Sequence, residues 1–386
     1  MRATKLFSEF FESEKAGGIV LVLCTLVSIG LANSALQLPY SNFWNMDMGG
    51  HSLAHWINDG LMSIFFLLIG LELEREIYKG ELSNIRNTLL PVSAAIGGVA
   101  IPALIYYSFN VGTPEQDGFG IPMATDIAFA LGVLSLLGNR VPTSLKVFLT
   151  ALAVIDDLCA IIIIAIFYTK GVVLANLFIA LAIWAVLLVL NRMKVHNLIP
   201  YLAGGIAMWY FMLQSGVHAT ITGVLLAFAI PFSNGGKKSP SYILQHVLHK
   251  PVAFLILPLF ALANTVIIIG PGWLQGLTSN VGKGVIAGLF IGKPTGILLL
   301  SYLAVKFKIC SLPPDIRWKH ILGAGMLAGI GFTMSIFITL LAFNDAGLIN
   351  DTKFFVLIAS VISGGLGLVW LNTTLKNKIV PEEETD

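Results

Sequence analysis

TALAVIDDLCAIIIIAIFY, residues 150–168, is almost wholly apolar except at its centre, where Asp156 and Asp157 stand side by side. A run of this length is close to the roughly 20 apolar residues that a membrane-spanning helix needs. Moving an ionised carboxylate into hydrocarbon costs several kcal/mol, so an adjacent pair must exist to meet an ion, a proton or a partner. The fold class and the chemistry both follow from what surrounds this pair.

The composition extends the reading to the whole chain. Of 386 residues, 56% are hydrophobic and 11% charged, where a soluble domain carries roughly 25% charged residues. Mean hydropathy is +0.85. The pattern is that of an all-α polytopic membrane protein forming one integral membrane domain. Twelve apolar stretches are long enough to be read as spans: 17–35, 53–73, 88–109, 119–138, 143–168, 172–191, 197–215, 217–232, 247–269, 282–305, 319–343 and 353–373. With both termini in the cytoplasm and the helices alternating, three of the 23 Lys and Arg residues fall outside, namely Lys170, Lys283 and Lys353. Lys293 lies within a span and the rest fall on the inside, which is the positive-inside pattern. One missed helix would scramble it.

Cys24, Cys159 and Cys310 are dispersed and indicate neither a disulfide framework nor a thiolate metal site. No cleavable signal peptide is expected, because the apolar run after residue 16 is long enough to remain as an anchor. Neither a resident cofactor nor a nucleic-acid partner is expected. The lipid bilayer is the medium in which the chain must work.

Two spans carry interruptions. The fourth, GFGIPMATDIAFALGVLSLL, has Gly118, Gly120 and Pro122 near its start and then Thr125 and Asp126 at mid-depth. The eleventh, AGMLAGIGFTMSIFITLLAF, places Gly329, Gly331 and Thr333 comparably. Gly and Pro breaks at corresponding places in two halves point to a transporter built from repeats, with broken helices meeting at the substrate site. The two spans are seven apart and so run in opposite directions, making 88–168 and 282–373 candidate inverted repeats.

Charges inside spans mark functional sites by default. Asp126, Asp156, Asp157 and Lys293 each have long apolar flanks. Glu72 opens the run ELEREIYKGEL and is expected at the interface, and Asp59 in WINDG is expected near the headgroups. Neighbours on a helix point about 100° apart, so Asp156 and Asp157 face different surroundings. A Lys293 ion pair that only orients helices would explain one aspartate. Three carboxylates against one lysine leave surplus negative charge, which structural pairing alone does not need. Crowded, desolvated carboxylates tend to hold protons, and a small hard cation offers their oxygens the alternative neutralisation. If the site opens alternately to each side, competition between H⁺ and the cation produces antiport. An Asp near a positive helix end and a Lys near a negative one would further offset the field of a broken helix.

GIPMATDIAFALGVLSLLGNRVP, LKVFLTALAVIDDLCAIIIIAIFYT, SGVHATITGV, FIGKPTGI and GIGFTMSIFI together resemble the NhaA family of bacterial sodium/proton antiporters, and the resemblance covers nearly the whole chain. It implies electrogenic export of Na⁺ or Li⁺ in exchange for protons across the bacterial inner membrane, activated at alkaline pH. Asp157 and Asp156 would form the ion and proton site. Thr125 and Asp126 would belong to the unwound part of the fourth helix, Gly331 to the matching break of the eleventh, and Lys293 would pair with the aspartates. The family's dimer contact is a hairpin in the first outer loop, which is short here at 36–52 and weakens the expectation of a homodimer. The charged pH-sensing cluster near helix nine reads SYILQHVLHK, with Gln245 in place of an acid. His246, His249, His218 and Glu72 are then the pH-response candidates, histidine titrating in the relevant range.

Other classes fit less well. An intramembrane aspartyl protease could use Asp126 and Asp156, but the GxGD signature is absent and an adjacent pair has no role in a two-aspartate mechanism. A passive channel would draw its selectivity from rings of carbonyls or carboxylates, not from one asymmetric cluster with a lysine. AGLFIGKPT is no Walker A motif, since Ala287 and Pro294 replace the required Gly and Ser or Thr.

Overall fold

Long apolar runs can satisfy their backbone in hydrocarbon only as helices or closed barrels, and the computed structural model is helical, with no β-strand among the described residues. The structure describes residues 5–80, 83, 85–169, 171–270 and 272–375, with side chains from 16 onward except 85–87. Arg2, Lys170, Lys376 and Lys378, and the side chains of Lys5, Lys15 and Arg86, all part of the charge pattern, lie outside the described residues.

In chain order the helices are α1 (Lys5–Ala32), α2 (Leu53–Tyr78), α3 (Ile85–Asn110), a 3-10 segment (Pro114–Met123) leading to α4 (Ile127–Ser135), α5 (Thr143–Phe167), α6 (Leu174–Arg192) and α7 (Ile199–Leu213). They continue as α8 (Ile221–Ala229), α9 (Pro240–Asn264), α10 (Asn280–Lys306), α11 (Trp318–Ala328), α12 (Phe332–Ala342) and α13 (Ala346–Thr374). By length and apolar composition, 8 described helices can cross a membrane, and α11 with α12, bent by 49° at a short break, makes 9. Helices α7 and α8 fall below that length. The eighth stretch, expected to be helical over 217–232, is helical for 9 residues. Pro231 follows it and holds Ile230 extended, at ψ 137°.

Several helices start where sequence chemistry dictates. Ser239, Ser279 and Asp345 accept the backbone N–H groups of Tyr242, Gly282 and Leu348 and so cap α9, α10 and α13. Three π-helical turns interrupt the spans, at Trp56–Leu61 in α2, Val252–Ile256 in α9 and Gly288–Gly292 in α10, the last immediately before Lys293. Such turns re-aim the residues that follow.

Packing places the broken spans at the centre. The main core joins α1 to α5 with α9 to α13, and a smaller core joins α6, α7 and α8 to the Leu67 and Leu71 face of α2. Helices α3 and α10 lie in closest apposition because Gly97 and Gly296 meet backbone to backbone. A Cβ on either would stand 2.1 Å from the other's carbonyl oxygen.

Candidate ion site at the crossing of two broken spans

The fourth span departs from the expected helix with a loosened first turn. Pro114–Met123 is a 3-10 helix, followed by extended residues 124–126 and then α4. Gly118 and Gly120 admit two tyrosines, whose hydroxyl oxygens would lie 2.4 and 2.5 Å from a Cβ at those positions. Tyr106 donates to the Glu115 carbonyl, while Tyr168 donates to the Asp117 carbonyl and accepts the Gly120 N–H. These hydroxyls take up backbone groups in the 3-10 segment, as any polar backbone inside a membrane protein requires.

The break at 124–126 crosses the break at 329–331. Asp126 N–H donates to the Ile330 carbonyl at 2.7 Å. Ser335 donates to the Ile121 carbonyl at 2.6 Å, and Ser360 of α13 accepts the Phe332 N–H at 3.2 Å. Gly331 has no room for a side chain, since a Cβ would stand 2.1 Å from the Ser335 hydroxyl.

Four helix ends therefore meet in the interior, and the charged groups answer them. Asp126 sits at two positive ends. Its Oδ1 accepts Phe129 N–H of α4 at 3.0 Å, and its Oδ2 accepts the N–H and hydroxyl of Thr333, in the first turn of α12, at 3.1 and 2.5 Å. Lys293 sits at a negative end and donates to the Met123 carbonyl, the last of the 3-10 segment. Its Nζ also lies 2.7 Å from Asp156 Oδ2, with neither side chain exposed. The Thr125 hydroxyl stands 2.6 Å from the same Oδ2 and 2.9 Å from the Ala328 carbonyl, one proton between two acceptors.

Asp157 differs from both. Its side chain is buried and neither carboxylate oxygen has a hydrogen-bond partner; Asp156 Oδ1 has none either. Asp126 is neutralised by donors and helix ends, and Asp156 by Lys293 and Thr125, so the surplus charge of the cluster resides on Asp157. Buried polar groups are almost always paired. Among the described residues no three His, Cys, Asp or Glu side chains approach closely enough to hold a metal ion.

Asp126 is thus a structural double cap, which also removes it as half of a protease dyad. Asp126→Ala leaves two helix N-termini without their acceptor and should cost about 2–4 kcal/mol, at roughly 1–2 kcal/mol per cap, read as a lower melting temperature in detergent. An unchanged melting temperature would contradict the capping role.

The pH-response candidates are scattered. Glu72 is buried in the protein, with 8% exposure, and its Oε1 lies 4.0 Å from His249 Nδ1 of α9. Glu74, read with it as part of the interfacial run, is buried too, with Oε2 unpartnered. The packing of α2 against α8 and α9 covers both. His246 is exposed and stacked on Tyr242. His218 stands at the other end of the molecule, Nε2 2.9 Å from the Tyr168 carbonyl. Asp156, Lys293, Thr125, Asp126 and Gly331 gather at the crossing; none of the four pH-response candidates joins them. Ser335, Ser360 and the two tyrosines were missed by sequence reasoning. The available signal was hydroxyl side chains on otherwise apolar spans.

The chain matches the family described as Na⁺/H⁺ antiporter 1 over residues 8–371. It is 63% identical to the Na⁺/H⁺ antiporter NhaA of Flavobacterium psychrophilum, over 98% of this chain and 99% of that one. It is 61% identical to the protein of the same name from Dechloromonas aromatica, over 97% and 98%. Among solved structures it resembles the sodium proton antiporter MjNhaP1 of Methanocaldococcus jannaschii, with a TM-score of 0.54 and 16% identity over 96% of this chain and 98% of that one. At that identity the likeness concerns the fold.

Proposed function

The chain belongs to the Na⁺/H⁺ antiporter family of NhaA, a family of secondary transporters and not of enzymes, and from that premise we propose that Asp157 is the group for which Na⁺ and H⁺ compete. The observation that carries the reading is a buried carboxylate with two oxygens unpartnered in the protein. Hard cations take oxygen ligands, and a proton neutralises the same charge. Asp156 adds its free Oδ1, and its other oxygen, shared between Lys293 and Thr125, lets the ion pair loosen when a cation arrives. Asp126, Thr125 and Gly331 hold the crossing in which this happens.

Alternating access then exports Na⁺ or Li⁺ against an inward flow of protons. The exchange is electrogenic. The two candidate repeats, 88–168 and 282–373, supply the elements that rock around the site. The protein works in the bacterial inner membrane with both termini in the cytoplasm. A homodimer would be made across the outer segment, where the short helix Gln37–Trp44 and a single bridge between Asp47 and Ser52 occupy the loop. His249 facing Glu72, with His218 and His246, supplies groups for a pH response.

The test is exchange by the purified protein in proteoliposomes with an imposed pH gradient. Na⁺ or Li⁺ should dissipate the gradient and K⁺ should not. Absence of cation-dependent proton movement at every pH from about 6 to 9, the range in which histidines and paired carboxylates titrate, would overturn the proposal.

A further inference from the structure

The end of α2 remote from Glu72 carries a second titratable cluster that the ion site does not use. His55, Asp59 and Ser63 recur at every fourth position of α2, and His51 precedes them at the same spacing in the turn before the helix. A tight turn fixes His51. Met48 N–H donates to its carbonyl at 2.8 Å, Gly49 and Gly50 adopt left-handed conformations at φ 76° and 92°, and Trp56 Nε1 donates to the Met48 carbonyl at 2.8 Å. The His51 and His55 rings stack with centroids 4.3 Å apart. His55 Nε2 lies 3.2 Å from Asp59 Oδ2, off line for a hydrogen bond. His218, before α8, is a further imidazole whose charge acts on Asp59. From α9 and α7 the neighbours are neutral: Asn264 pairs with Asn58, and Trp209 donates to the Asp59 carbonyl.

Exposure falls steadily along this series. His51 is exposed, the His55 and Asp59 side chains are 37% and 17% exposed, and Ser63 is buried. Beyond it Phe66, Ile161, Ile164, Thr220 and Ile221 line a narrow apolar gap. Phe66 follows Asp59 by two helical turns, Ile161 follows Asp157 by one, and Thr220 is next but one to His218. The gap therefore lies between the cluster and the ion site.

We propose that His51, His55, Asp59 and His218 form the proton-collecting site of the exchange cycle, holding H⁺ at the outer mouth of the path to Asp157. The proposal rests on the antiport reading and on the N-terminal end of α2 facing outside. Near pH 8 protons are so dilute that capture by one carboxylate, even at a diffusion limit of about 10⁹–10¹⁰ M⁻¹s⁻¹, is restricted to roughly 10–100 per second. A cluster of imidazoles with a carboxylate enlarges the target, because imidazole exchanges protons within the physiological range. Na⁺ prefers oxygen ligands, so three imidazoles around one carboxylate favour the proton. Each transfer breaks an N–H or O–H bond and forms another on the acceptor, ending on an Asp157 oxygen.

The experiment uses the full chain in oriented proteoliposomes, with the pH varied on the α2 N-terminal side and fixed on the other. His51→Gln with His55→Gln should slow exchange about three- to tenfold at pH about 8.5 and little at about 6.5, across the imidazole range, with unchanged half-saturation for Na⁺ on the opposite face. His51→Gln alone, at an exposed position, should act in the same direction and less. Equal rates for variant and wild type at every pH would overturn the proposal. So would a uniform loss at all pH values with a raised Na⁺ half-saturation, the mark of a packing role. If the wild type exchanges and Asp157→Asn does not while the histidine variants are unaffected, the collecting site alone falls. No exchange by the wild type overturns both readings.

Discussion

Proteoliposomes carrying Asp157→Asn should show no Na⁺- or Li⁺-dependent proton movement at any pH, with protein yield and melting temperature close to wild type. The amide keeps the shape of the carboxylate and removes its charge. Two unit charges about 4 Å apart attract by about 4 kcal/mol at an effective dielectric of 20, close to a thousandfold in affinity at 1.4 kcal/mol per tenfold. Because the Asp157 oxygens accept no hydrogen bond from the protein, the substitution breaks no existing contact. Exchange at even a tenth of the wild-type rate would remove Asp157 from the centre of the cycle. Asp157→Glu should retain exchange at a reduced rate, since it keeps the charge and displaces it by one methylene.

Lys293→Ala should have the largest effect on stability. Lys293 is fully buried against Asp156 and the Met123 carbonyl, and its loss leaves both without their cation. Removing one member of a buried ion pair costs about 3–5 kcal/mol, which should appear as a much lower melting temperature in detergent. The two residues are in direct contact, so their effects should not add. Asp156→Asn in the Lys293→Ala background should recover part of the loss. A melting temperature unchanged by Lys293→Ala, or strictly additive single and double variants, would show that the pair carries no such energy. Activity separates its roles further, because a stabilising partner alone leaves the Asp157 competition intact in whatever protein remains folded.

Much of this was legible in the residues. Lone charges in apolar runs are costly enough that Asp126, Asp156, Asp157 and Lys293 had to converge or be neutralised, and three of them meet the breaks that Gly118, Gly120, Pro122, Gly329 and Gly331 announce. The expectation that an aspartate would face a positive helix end and a lysine a negative one is realised by Asp126 and Lys293. The division of labour was not legible. Spacing places Asp156 and Asp157 about 100° apart on α5, but which one meets Lys293 depends on where α10 crosses, and that is set by the Gly97 and Gly296 apposition. The 3-10 form of the fourth span was hidden for a similar reason, since the hydroxyls of Tyr106 and Tyr168 reach it from α3 and from the end of α5. The burial of Glu72 was not legible either, since its flanking charges gave no sign that the packing of α2 against its neighbours covers it.

The central claim is that one carboxylate serves cation and proton in turn. Proton release on Na⁺ addition to purified protein in weakly buffered detergent solution tests it most directly. Wild type at alkaline pH should release protons in proportion to Na⁺ bound, with release fading as the pH rises further and the site deprotonates, and Asp157→Asn should release none. Na⁺ binding at every pH without proton release, or undiminished release from Asp157→Asn, would contradict it.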